Sequence, residues 1–252
     1  MLDLDVSLIN IIKMKFSFSI FIFSLIFIFS HANAQDFKKG KLIYSNKFEE
    51  INDVKDWIME GPGKIEFVEK SMQMYSPNEE GHHVFWCPVD FPKSFIAEWD
   101  AQNLEIDAGL CIVFFAAKGL HGESVFDDSL PKRTTGIFTD YTKGALNCYH
   151  ISYYANAKDD AHRETANLRK NKGFNLVQTG EKGIPVESKE LHHLKLIKDF
   201  NHILMYVDDR KIIDWIDDGK QYGKVLEDGK IGLRQMKWTR FLYKNFKVWN
   251  CQ

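Results

Sequence analysis

The stretch Ile203-Leu204-Met205-Tyr206-Val207-Asp208-Asp209-Arg210-Lys211-Ile212-Ile213-Asp214-Trp215 holds two apolar runs on either side of an Asp-Asp-Arg turn. Such a pattern forms a β-hairpin, because Asp tolerates the tight backbone of a turn and β-branched or aromatic residues cover a pleated, half-buried surface. Two more turns follow, Asp217-Asp218-Gly219 and Glu227-Asp228-Gly229, and then the strand Lys230-Ile231-Gly232-Leu233-Arg234-Gln235.

This order resembles the C-terminal half of a concanavalin-like jelly roll. Runs of the same kind fill the chain upstream: Lys41 to Phe48, Lys64 to Val68, His82 to Cys87, Ser94 to Ala101, Leu110 to Ala117, Asn147 to Ala155 and Leu191 to Lys198, with Tyr243 to Trp249 closing it. Gly, Asp, Asn and Pro separate them, and helical periodicity is scarce. The expected fold class is all-β, a concanavalin/galectin-like jelly-roll sandwich of two antiparallel sheets. Without an internal repeat or a low-complexity linker, residues 35–252 read as one domain.

The segment ahead of this domain has a different character. Phe16 to Phe29 is almost wholly Phe, Ile, Leu and Ser, follows Lys13 and Lys15, and is succeeded by Ala32-Asn33-Ala34. A basic flank, an apolar stretch short of the roughly 20 residues of a bilayer span and a small-x-small exit mark residues 1–34 as a signal peptide. Met14-Lys15 opens a conventional basic flank, so a start at Met14 fits the same reading. The expected mature chain begins at Gln35, is periplasmic or secreted, and keeps no membrane segment. No Cys follows the apolar stretch to carry a lipid there. Export admits disulfides, yet Cys87, Cys111, Cys148 and Cys251 form no CxxC pair and three lie in strand-like runs. Their pairing is left open by the spacing, which gives no support to a zinc site.

The formal net charge of -2 comes from intermingled acids and bases, as at Glu181-Lys182 and Lys198-Asp199. A nucleic-acid partner would require clustered Lys and Arg to neutralise phosphates, and none is expected. The sequence does not give the oligomeric state.

Six runs carry a family resemblance: Gly81-His82-His83-Val84-Phe85-Trp86-Cys87-Pro88, Gly109-Leu110-Cys111-Ile112-Val113-Phe114-Phe115-Ala116-Ala117, Arg133-Thr134-Thr135-Gly136-Ile137-Phe138, His150-Ile151-Ser152-Tyr153-Tyr154, Asn167-Leu168-Arg169-Lys170 and Gly232-Leu233-Arg234-Gln235-Met236. They are similar to the YesU-like family, a bacterial family long of unknown function and found among pectin and algal-polysaccharide utilisation genes. The resemblance spans nearly all of the mature chain. It implies a uronic-acid-containing oligosaccharide as substrate and suggests an ulvan oligosaccharide dehydratase as a characterised kind of relative.

A jelly roll that binds sugar does so on its concave sheet, into which every second residue of a strand points. Alternation within Asn147 to Ala155 puts Cys148, His150, Ser152 and Tyr154 on one face and Tyr149, Ile151 and Tyr153 on the other. The first set is the more polar. A His near a Tyr offers a base of near-neutral pKa and a phenol to hand on a proton, so His150 and Tyr154 are the expected catalytic pair. Arg169 is expected to grip the uronate carboxylate and to stabilise the charge that grows there as C5 loses its proton. Asn167, Arg133 and Arg234 are further carboxylate contacts. His83, Trp86 and Gln235 complete the expected binding surface, with Trp86 as a ring on which a sugar can stack. Each has an ordinary structural alternative: a satisfied sheet residue, a surface ion pair or, for Trp86, a core position. His192-His193 starts a strand near a turn and reads as structural. No His-x-His or His-Glu-x-x-His spacing points to a metal, and no cofactor is expected.

A retaining glycoside hydrolase on this fold needs a Glu-x-Asp-x-Glu strand with its working carboxyls about 5 to 5.5 Å apart. Glu98-Trp99-Asp100-Ala101-Gln102 has an amide where the acid/base belongs. The departure at Gln102 speaks against hydrolysis, and the family resemblance implies β-elimination on a uronate, with the dehydratase favoured by that resemblance alone. Loss of the C4 hydroxyl would make a dehydratase, and loss of a glycosidic oxygen a polysaccharide lyase. A noncatalytic carbohydrate-binding module is the alternative from another class.

Overall fold

The computed structural model describes residues 37–77, 81–105, 108–156 and 161–252. The expected signal peptide, residues 1–34, lies outside the described residues. The first strands are β1 (Lys39–Asn46), β2 (Ile58–Glu60), β3 (Lys64–Val68), β4 (Ser71–Tyr75) and β5 (His83–Phe91). They are followed by β6 (Ser94–Asn103), β7 (Gly109–Gly119), a short helix α1 (Phe138–Thr142), β8 (Leu146–Asn156), β9 (Thr165–Asn171) and β10 (Asn175–Lys182). The last are β11 (Leu191–Asp199), β12 (His202–Val207), β13 (Arg210–Ile216), β14 (Gly229–Gln235) and β15 (Arg240–Cys251).

These strands make two antiparallel sheets, the sandwich expected from the sequence. The eight-stranded sheet runs β13-β12-β11-β6-β15-β4-β3, with β1 also paired to β15, and the seven-stranded sheet runs β10-β9-β8-β7-β14-β5-β2. Alternation fills the space between them: Trp99 of β6 and Leu196 of β11 meet Val113 and Phe115 of β7 and Leu233 of β14, all fully buried. Each such side chain contributes about 1.5 to 3 kcal/mol through removal from water.

The hairpin that opened the sequence reading is β12-β13. Val207 pairs with Arg210, so the turn is Asp208-Asp209, with Asp208 at φ 54°. The Asp208 carboxylate accepts the His193 backbone N–H at 2.9 Å and lies 2.9 Å from His192 Nδ1.

A second buried cluster lies on the other side of the seven-stranded sheet. There Val84, Trp86, Phe114 and Cys148 are covered by Val125 and Tyr141 of the β7-β8 connection, with Leu146 at the start of β8 in the same cluster. Trp86 stacks on Phe114 at 5.8 Å, and Phe114 on Tyr141 at 5.6 Å. Gly136 lets this connection come close. It has φ 67°, and a Cβ there would stand 2.0 Å from the His82 carbonyl oxygen. Gly232 plays a similar part under Trp86, whose ring would be 2.5 Å from an added Cβ.

A buried ion pair anchors the β13-β14 connection. Lys170 donates to Asp217 at 2.6 Å and to the Gly223 carbonyl at 2.7 Å, and the Tyr149 hydroxyl also donates to Asp217. All four cysteines are free, and Cys87, Cys111 and Cys148 are buried.

Candidate functional site

The outer face of the seven-stranded sheet carries two rows of side chains across the strands. Arg169, His150, Phe114, Gly232 and Trp86 form one, from β9 to β5. Asn167, Ser152, Ile112, Arg234, Val84 and Glu60 form the next, from β9 to β2. The β7-β8 connection covers the Trp86 end of these rows. At the edge of that cover Arg234 and Arg169 both lie close enough to His150 to act on its charge, and Asn167 stands beyond Ser152 on the second row.

Arg234 is the centre of the site. It is 1% exposed, and its Nε and Nη2 atoms are buried without a hydrogen-bond partner. Its guanidinium carbon lies 4.2 Å from the centre of the Phe138 ring of α1. Burial pulls its pKa down to about 10. A buried cation left without an acceptor is costly, so a cationic pocket of this kind is matched to an anion. No carboxylate bonds to it among the described residues.

His150 stands beside it, enclosed by Phe114, Phe138 and Phe174 at 5.4, 5.6 and 5.9 Å. Burial, and then the charges of Arg169 and Arg234, bring its pKa down to about 3, so the ring is neutral near pH 7. Asn171 Nδ2 donates to His150 Nδ1 at 2.8 Å and to Cys148 Sγ at 3.3 Å, while Asn171 Oδ1 is buried without a partner. Arg169 sits opposite His150 on the ladder, donates Nη1 to the Phe174 carbonyl at 3.0 Å and lies 3.9 Å from the Phe174 ring centre. Asn167 bonds through its amide to the Thr165 carbonyl at 3.4 Å, and its backbone N–H reaches Ser152 Oγ at 3.1 Å.

The other expected residues are placed elsewhere, each for a physical reason. Tyr154 does not share the face of His150. Cys111 pairs with Tyr154 while the adjacent Ile112 pairs with Ser152, so Tyr153 is an extra residue and the bulge reverses the alternation. Tyr154 therefore points into the core, accepts from Asn103 at 2.9 Å and donates to the Val186 carbonyl at 3.3 Å. His83 and Gln235 also face inward and bond to each other at 3.1 Å. Burial lowers the His83 pKa to about 3. Trp86 is fully buried and donates Nε1 to Glu60 at 2.9 Å, so it presents no ring to a sugar. Arg133 is bound at both Glu60 oxygens, at 3.1 and 2.7 Å.

Residues that sequence reasoning passed over take their places. His82, one step before the inward His83, lies on the Arg234 side, with a buried, unpartnered Nδ1 and a pKa brought down to about 4 by burial and then by Arg234 and Lys237. Phe138, Phe174 and Asn171 complete the wall around His150. A separate cavity of about 330 Å³ is lined by Ile58, Glu60, Phe126, Leu130 and Arg133. Trp238, just past β14, is 43% exposed.

Glu98 and Asp100 belong to the eight-stranded sheet. There Lys39 bonds Glu98 at 2.7 Å, and His193 and Asn245 bond Asp100 at 2.8 and 2.7 Å. They are remote from Arg234 in the fold. Among the described residues no cluster of His, Cys, Asp and Glu suits a metal ion.

A jelly-roll sandwich of two antiparallel sheets, here with buried cations and aromatic rings on the outer face of one sheet, is a galectin-like fold. More specifically, the chain belongs to the family described as Domain of unknown function (DUF1961), which matches residues 41–248. It is 42% identical over 216 residues to "Uncharacterized protein YesU" of Bacillus subtilis (strain 168), covering 84% of this chain and 97% of that protein. A crystal structure of a Bacillus subtilis protein of unknown function with a galectin-like fold is similar at a TM-score of 0.82 and 40% identity, covering 86% of this chain and 99% of the other. The carbohydrate-binding module CBM66 from Bacillus subtilis shares the fold at a TM-score of 0.51 and 18% identity, over 77% of this chain and 96% of the module.

Proposed function

We propose that the Arg234 groove binds a uronate residue of an acidic oligosaccharide and eliminates water from it, making the protein a carbon-oxygen lyase of the dehydratase type. The observation that carries this reading is the buried Arg234 guanidinium, with two unpartnered nitrogens between neutral imidazoles. Arg234 would hold the carboxylate, with Arg169 and Asn167 at its flank. As the C5–H bond breaks, its electrons form the C4–C5 double bond and the C4–O bond breaks. The departing hydroxyl takes a proton and leaves as water. Charge gathers on the carboxylate during this step, and a dry, fixed guanidinium favours that charge. His82 and His150 are the groups for proton transfer and for a second contact to the acid. Trp238 is a stacking surface for a neighbouring sugar.

Release of a glycosidic oxygen from C4 by the same chemistry would make the protein a polysaccharide lyase. The fold shared with CBM66 favours a second reading, noncatalytic binding of the acidic sugar. Incubation with ulvan and pectin oligosaccharides, followed by unsaturated-uronate absorbance and product mass, separates the three. A double bond with loss of water supports the dehydratase, chain cleavage with a double bond gives the lyase, and binding without turnover leaves a binding module. We also propose that the chain is exported and starts at Gln35, which N-terminal sequencing of the native protein checks.

A further inference from the structure

Asn171 presents two donors and one acceptor to a buried pocket. Its two amide hydrogens have two acceptors, His150 Nδ1 at 2.8 Å and Cys148 Sγ at 3.3 Å, and its Oδ1 has none. Turning the amide over would exchange one unpartnered acceptor for two unpartnered donors on a side chain that is 1% exposed. The observed orientation leaves less unsatisfied. Cys148 agrees with it, because its S–H is directed at the Tyr141 carbonyl at 3.8 Å, which frees the sulfur lone pairs for the amide. A neutral imidazole that accepts at Nδ1 carries its proton on Nε2.

We infer that Asn171 is a positioning residue that fixes His150 as the Nε2–H tautomer, so that His150 serves the groove as a neutral hydrogen-bond donor to the ligand's carboxylate and not as the base. This rests on the β-elimination reading. It makes His150 a partner of Arg234 in holding the charge that builds on the carboxylate, and it leaves both proton steps to His82, which takes the C5 proton and passes it to the departing C4 hydroxyl. His150 gives up no proton during the cycle. Its N–H bond to the carboxylate oxygen shortens as the enolate-like charge develops and relaxes when the double bond forms.

The test is the tautomer itself. Nitrogen-15 NMR of the histidine side chains in the full, ligand-free chain, assigned through the backbone of the unaltered protein, reads which nitrogen of His150 bears hydrogen without any variant having to fold. A protonated Nε2 is expected, and a protonated Nδ1 overturns the inference. Asn171→Asp provides the second arm, since a carboxylate accepts from Nδ1–H and moves the proton off Nε2. In that variant kcat should fall by about 10², the scale for loss of one oxyanion donor, with KM little changed. A shifted tautomer with undiminished kcat also overturns the inference. If instead the unaltered protein turns over no uronate, the proposed function fails while the NMR assignment still stands as a measurement.

Discussion

Arg133 and Glu60 are joined at both carboxylate oxygens, a fork-to-fork pair whose side chains are 5% and 11% exposed. Trp86 donates to the same carboxylate, and the Arg133 Nη2 also reaches the Val125 carbonyl. This pair fastens the β7-β8 connection to β2. Glu60→Gln leaves the buried guanidinium without its counter-charge and should cost about 3 to 5 kcal/mol of stability. Urea unfolding checks it, with acidic-sugar affinity measured alongside. A loss of affinity without a loss of stability would place Arg133 in the binding site instead.

Arg234 is the opposite case, a buried cation with nothing to hold. Arg234→Met should raise the unfolding free energy by about 1 to 3 kcal/mol, because it removes a buried charge that has no acceptor. It should also abolish retention on an acidic-oligosaccharide column. A variant that is less stable than the parent would show that the guanidinium has a structural acceptor.

Tyr154→Phe removes two hydrogen bonds in the core, from Asn103 and to Val186. A loss of about 1 to 2 kcal/mol is expected, since Asn103 is left buried without its acceptor, and the midpoint of thermal melting reports it. Turnover on uronate oligosaccharides should be preserved in the folded variant. A large fall in kcat with no change in stability would return the phenol to the reaction.

His83 and His150 titrate near pH 3 in the fold, held neutral chiefly by burial, against 6.5 for an ordinary imidazole. The unfolded chain therefore takes up protons first. The stability that these neutral rings contribute is whole above pH 6.5 and drains as pH falls toward 3, at about 1.4 kcal/mol per pH unit for each ring. His193 runs the other way, raised to about 9 by hydrogen bonds to Asp100 and Glu98. Its contribution is present below pH 6.5 and is lost as pH rises through 9. Urea midpoints across pH 4 to 10 should therefore fall at both ends, and His193→Gln should flatten the alkaline side alone.

How far the sequence carries depends on whether alternation holds. It holds from Cys148 to Ser152, which is why His150 was found, and it fails at the Tyr153 bulge, which no residue pattern announces. In His82-His83 the period of two was sound but its phase was not available, so the inward member was chosen. Strands β2, β4 and β10 escaped notice for separate reasons. The first is only three residues long, the second is built on Met72 and Met74 in place of β-branched residues, and the third is a largely exposed edge strand, Asn175–Lys182. Phe138, Phe174 and Asn171 reach His150 from beyond its own strand, and proximity of that sort is made by the fold. The Arg133 to Phe138 run did carry a signal. Its Arg fastens the connection, its Gly permits the close approach, and its Phe meets Arg234.

The free thiols give the chain its own reporters of how it opens. Cys87, Cys111 and Cys148 lie on β5, β7 and β8 of the groove-bearing sheet, and burial pushes the Cys87 and Cys148 thiols up to about 12 and that of Cys111 higher still. Cys251 ends β15 in the opposite sheet and is half-buried. At the three buried positions thiolates form when the surrounding strands part, whereas Cys251 is already partly accessible. Alkylation followed site by site by mass would thus time the separation of the two sheets independently, with no residue replaced.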